Sequence, residues 1–176
     1  MAYLSNFIFS ILLFSAIFFF RRNILFIKRN IQIGKSIDRT DQSSKRWSNM
    51  ILIAFGQYKM INKPIAGLLH IVVYVGFVVI NIELLEIILD GLLGTHRVFA
   101  PYMGKAYDFL IATFEVFAAM VLVSVVVLWL RRNTLKIKRF WKSEIKGWPK
   151  RDADYILYFE MILMTLFLSM NATDLL

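Results

Sequence analysis

The chain has 176 residues, 59% of them hydrophobic and 15% aromatic, with a mean hydropathy of +0.62, which places it among membrane proteins. Its formal charge of +9 does not mark a nucleic-acid binder, because the basic residues are confined to short segments between apolar runs. The absence of cysteine excludes a disulfide, a covalently attached c-type haem and an iron-sulfur cluster held by this chain.

A hydrocarbon core of ~30 Å takes roughly 17 to 25 apolar residues to cross. Four segments qualify, residues 4–20, 65–89, 107–130 and 154–175, and the fold class they predict is all-α: a polytopic membrane helical bundle in a single domain. The first segment has no Lys or Arg before it, is followed at once by Arg21 and Arg22, and shows no small-residue cleavage pattern. It reads as an uncleaved transmembrane helix rather than a signal peptide, continuing into "RRNILFIKRN" until "IGKSIDRTDQSS" breaks it.

Between residues 44 and 60, Trp47, Met50, Ile51, Ala54, Phe55 and Tyr58 recur at helical spacing with polar residues between them. That pattern predicts an amphipathic surface helix, against membrane or beneath a soluble partner. Pro64 suits the first turn of the second transmembrane helix, "DGLLGTH" its end, "GKAYD" the start of the third, and Asp154 the cap of the fourth. Of the 21 Lys and Arg, ten lie from Arg21 to Lys63 and nine from Arg131 to Arg151. The positive-inside rule then makes both basic segments cytoplasmic and puts the N-terminus, the His96 loop and the C-terminus outside. The four tryptophans, Trp47, Trp129, Trp141 and Trp148, fall at or near the basic side, as interfacial anchors do.

His70 is the one histidine within an apolar segment. At 1.5 Å per residue it stands roughly 7 to 8 Å inside the cytoplasmic end of its helix. An imidazole at that depth needs a partner, because an unsatisfied polar group in hydrocarbon costs several kcal/mol. Two readings follow: a hydrogen bond to a neighbouring helix, or axial ligation of a b-type haem. Tyr74, Phe77 and Asn81 lie within about 40° of His70 on the helical wheel and line its face, either as ordinary core or as the wall of a porphyrin site. His96 lies beyond the far end of the helix and cannot share an iron with His70. Met161 and Met164 are the sulfur ligands the chain offers, though methionine in a bundle is usually a gap-filler. A partner chain, further helices or a second His70 in a homodimer are the remaining sources.

Glu83, Glu86 and Asp90 lie on the opposite face of that helix, and acidic residues at membrane depth are functional candidates by default. Glu86 and Asp90 read as interfacial partners of Arg97 or Lys105, and Glu83, deeper by a turn, as a group that transfers protons. Glu115 stands near the middle of the third helix. Glu160 stands six residues into the fourth, at nearly the depth of His70, where it either orients the imidazole, passes a proton to a bound quinone, or snorkels toward Lys150 or Arg151.

The stretch "GQYKMINKPIAGLLHIVVYVGFVVINIELLEIILDG" resembles the haem-bearing helix of the cytochrome b membrane domains in the nitrate reductase gamma and membrane heterodisulfide reductase group. It is most similar to the N-terminal region of fused iron-sulfur oxidoreductases of Bacteroidetes type. "RRNTLKIKRFWKSEIKGWPKRDADYILYFEMILMTLFLSMNATDLL" is similar to the same proteins, so the resemblance covers essentially the whole chain. It implies an electron-transfer domain in the bacterial inner membrane, passing electrons between a cytoplasmic iron-sulfur module, haem b and the quinone pool. His70 then takes the haem-ligating position, and membrane lipid, quinone and an iron-sulfur protein or a further C-terminal domain are the partners. The gamma-subunit pattern has a second histidine ten residues on, where this chain has Ile80, so a second haem on this helix is not implied. The resemblance also implies that the chain is the front portion of a larger protein. From a different class, the alternative is a non-catalytic membrane anchor without haem, whose basic loops recruit a partner or anionic lipid.

Overall fold

The structure is a computed structural model that describes residues 2–35, 41–60, 62–135, 137 and 147–174. Its regular elements, among the described residues, are all helical: α1 (Ala2–Gln32), α2 (Ser43–Met50), α3 (Pro64–Leu93), α4 (Ala100–Met103), α5 (Lys105–Asn133) and α6 (Trp148–Asp174). Four of these, α1, α3, α5 and α6, are long and apolar enough to cross a membrane. Large side chains such as Phe7, Phe18, Leu68, Phe109 and Leu166 stand exposed on them, which suits helices whose outer surface meets lipid.

Each long helix overruns its apolar segment, α3 and α5 by a few residues and α1 by about three turns, as far as Gln32, because polar flanks continue the backbone ladder beyond the apolar run. The amphipathic segment departs from a single helix. It runs as α2, widens into a π-helical stretch at Ile51–Phe55 and stops at Gly56, before a 3-10 turn at Tyr58–Met60. Gln57 has φ +51°, a left-handed backbone that no helix accommodates. The chain therefore turns there before Pro64 begins α3. The basic stretch ahead of Gly147 lies largely outside the described residues, Trp141 included.

The chain divides into two compact units, Met1–Phe55 with Leu85–Tyr102 and Gly56–Leu84 with Met103–Leu176. In the first, Gly91 of α3 packs against α1: a Cβ added there would meet the Phe9 ring. Gly94, with φ +73°, ends α3 in the left-handed conformation that glycine adopts without a Cβ penalty. Its amide donates to the Asp90 carbonyl at 2.8 Å.

In the second unit α5 carries the buried stripe Tyr107, Ile111, Phe114, Ala118, Val121, Ser124 and Val125. Gly76 of α3 lies against Val121, and a Cβ added there would overlap that side chain. Small residues at a helix crossing let two backbones approach where the hydrophobic effect gives no drive in lipid. We expect Gly76→Leu to destabilise the detergent-solubilised protein by about 1 to 3 kcal/mol, the usual cost of overpacking, seen as an earlier thermal loss of helical circular dichroism. An unchanged transition would mean that α3 does not rest on α5 through this glycine.

Three hydroxyls within the apolar helices are satisfied locally. Thr113, Thr165 and Ser169 each donate to the carbonyl four residues earlier at 2.8 Å, which removes the penalty of a bare donor in hydrocarbon.

Candidate functional site

Two contacts set the register of α5 against α6. Arg132 Nε stands 2.9 Å from Asp154 Oδ1, and the Trp129 and Tyr158 rings lie 6.2 Å apart between centroids at a 52° tilt. Asp154 was expected to cap the start of α6. It stands instead inside the helix, which begins at Trp148, after Gly147 with φ +90°. Its carboxylate is drawn to Arg132, and Asn133 Nδ2 donates to the same oxygen at 3.2 Å.

Counting along the antiparallel helices from these contacts, and along α3 from Gly76 against Val121, His70 falls level with about residue 127 of α5 and Glu160 with about residue 126. The two thus share a depth, as the sequence suggests. No hydrogen bond joins them among the described residues: both side chains are half-buried, and neither makes a hydrogen bond or ion pair. His70 makes no ring contact either. It stands about 120° around α3 from Gly76 at 100° per residue, to the side of the contact with α5. Met161 falls within about two residues of the same level, and Met164 is buried in the packed face of α6.

The residues expected to flank His70 divide. Tyr74 is half-buried and Phe77 is 59% exposed. Asn81 is committed to its own helix, its Nδ2 donating to the Phe77 carbonyl at 2.6 Å. Of the three, the two aromatics share an accessible strip with the imidazole. Tested against a haem, this strip fits one side of the group: a side chain able to ligate, without a competing partner among the described residues, beside an exposed aromatic ring. Among the described residues no group of three or more His, Asp or Glu side chains is arranged to hold a metal ion.

The outer carboxylates have structural work. Glu86, buried at 4% exposure, accepts from the Phe99 amide at 2.9 Å. Asp90 accepts from Thr95 Oγ1 at 2.5 Å, from the Arg97 amide at 2.7 Å and from the Val98 amide at 3.2 Å. Both therefore gather the loop after α3 by its backbone amides. Glu83 is 4% exposed on the same stripe of α3 as Gly76 and Ile80, and by count stands level with about residue 114 of α5. Glu115 is half-buried and makes no hydrogen bond or ion pair among the described residues.

Sequence reasoning missed Asn171. It is 1% exposed, and neither its amide nitrogen nor its oxygen has a partner among the described residues. It shares the packed face of α6 with Met164 and Phe167, and stands level with about Glu115. The layer away from the basic end of the second unit therefore carries polar groups from three helices: Glu83, Glu115 and Asn171. The signal was present in the period-3.6 spacing of Met164, Phe167 and Asn171, but an asparagine near a helix end reads as a surface residue.

No family model matches the chain, and no curated protein or solved structure matches it. The chemistry must therefore be argued from these residues.

Proposed function

We propose that this chain is the membrane part of an electron-transfer assembly, in which His70 would ligate a b-type haem together with a group from a partner chain or segment. The observation that carries this reading is the isolation of the imidazole. A histidine at membrane depth with a helix-to-helix hydrogen bond would need no further explanation. His70 has none among the described residues, and an unsatisfied polar group in hydrocarbon costs several kcal/mol. Ligation from outside the chain removes that penalty. The resemblance of "GQYKMINKPIAGLLH" to haem-bearing helices points the same way.

A haem bound there would supply one-electron chemistry. The chain's own residues hold and position it: His70 through one imidazole nitrogen, with Tyr74 and Phe77 as the apolar wall. Glu160, at the same depth and without a hydrogen bond or ion pair among the described residues, is the group that would hold a proton on that side of the membrane. Glu83, Glu115 and Asn171 form the polar layer near the other side, where a quinone's protons would be exchanged. The basic segments face the cytoplasm in this reading and receive the iron-sulfur partner.

The non-catalytic anchor is favoured by one specific set of bonds. Asn81, Glu86 and Asp90, three of the polar groups that mark α3 as functional, are used to hold helix and loop backbone. The two readings separate on haem content. The assembly isolated from native membranes in mild detergent is expected to carry about one b-type haem per His70 or per pair of them, measured as the pyridine haemochrome. An assembly without haem would leave the anchor.

A further inference from the structure

The groove that runs along α1 just past its apolar stretch has a volume of about 460 Å³ and is lined by Phe18, Arg21, Arg22, Leu25, Phe26 and Arg29. These residues recur at three- and four-residue intervals, so a single helix face carries three guanidinium groups and three apolar side chains. None of the three guanidiniums makes a hydrogen bond or ion pair among the described residues. The apolar stretch before them, residues 4–20, covers about 25 Å at 1.5 Å per residue, so Arg21 and Arg22 stand where a hydrocarbon core of ~30 Å gives way to headgroups. Arg29 follows about 12 Å further along the axis.

We propose that this face is a binding site for an anionic phospholipid, with the phosphodiester held among Arg21, Arg22 and Arg29, the upper acyl chains lying against Phe18 and the glycerol backbone against Leu25 and Phe26. The occupant follows from charge and position together. Guanidinium forks match phosphate oxygens in geometry as well as charge. Phenylalanines interleaved with the arginines add nothing to the capture of a free ion, whereas they suit a ligand with a hydrocarbon tail. The groove also continues directly from a helix surface on which no residue of the apolar window is buried, so lipid is already what faces it. Anionic surfaces attract juxtamembrane Lys and Arg, and three on one face select an anionic over a zwitterionic headgroup. The proposal does not depend on haem at His70.

The test is native mass spectrometry of the full chain in neutral detergent, incubated with phosphatidylglycerol or phosphatidylcholine of identical acyl chains. The wild-type chain should retain phosphatidylglycerol in preference to phosphatidylcholine by roughly tenfold, and R21Q/R22Q/R29Q should lose that preference. K45Q/K59Q/K63Q, an equal charge change outside the groove, should keep it, as should the charge-preserving R21K/R22K/R29K in large part. Circular dichroism reports whether the glutamine variant keeps its helix. If it does not, the single variants R22Q and R29Q are read instead, and each should lower the preference severalfold. The proposal is overturned if the arginine variants retain phosphatidylglycerol like wild type, or if the control triple loses it equally. It is also overturned if millimolar inorganic phosphate displaces the lipid, which would make the site one for a soluble anion, or if an acidic peptide outcompetes it.

Discussion

Replacing His70 by alanine is expected to abolish the b-type reduced-minus-oxidised spectrum of the assembly. The reasoning runs through the number of ligands. The described residues of this chain place one imidazole on the accessible strip of α3, and no hydrogen bond or ion pair within the chain competes for it. His96 lies beyond Leu93, the end of α3, and about 35 Å of helix separates Leu93 from His70, so it cannot substitute. A haem held there would lose its imidazole ligand in this variant, so the α-band should fall to a small fraction of its wild-type height. Restoration by free imidazole in His70→Gly distinguishes ligation from a packing defect, since an added base can fill a ligand position and cannot repair a helix interface. A full α-band in His70→Ala would remove this residue from the haem.

The second large effect concerns stability. Arg132 and Asp154 are only 13% and 17% exposed, and they tie α5 to α6 at the basic end of the second unit. Arg132 Nη2 also donates to the Lys150 carbonyl at 3.0 Å. Removing one member of a buried pair strands the other charge, which costs 3 to 5 kcal/mol in a dry interior. With a tenth or more of each side chain reaching solvent, we expect Asp154→Ala to cost about 2 to 4 kcal/mol. For a chain of this size that corresponds to a thermal midpoint lower by about 5 to 15 °C. Arg132→Leu combined with Asp154→Leu should recover most of the loss, because the stranded charge is gone. A single Asp154→Ala variant that melts with the wild type would mean the pair does not hold the two helices.

The long helices were legible because each carries an apolar run long enough to cross a membrane, and because Pro64, Gly94 and Gly104 punctuate them. The segment from residue 44 to 60 was less so. Its apolar spacing fits one helix, but the left-handed backbone at Gln57, after Gly56, interrupts it, and period analysis does not weigh a single dihedral. Asp154 illustrates a different blindness: an aspartate after a loop suits a cap, and only the tertiary approach of Arg132 moves it into the second turn of α6. In the candidate site, the shared depth of His70 and Glu160 was readable from helix rise alone. What the sequence could not disclose is that Asn81, Glu86 and Asp90 satisfy local backbone, since a side chain's choice among nearby acceptors and donors depends on geometry. Asn171 was hidden for the same reason in reverse, as its burial comes from neighbours distant in the chain.

The most direct measurement of the central claim is anaerobic addition of a short-chain quinol to membranes containing the assembly, followed by optical spectroscopy of the b-type α-band. The account predicts that the band appears with the wild-type chain and is absent with His70→Ala at equal protein level. A wild-type assembly that shows no such band, or a band that forms equally well without His70, would contradict it.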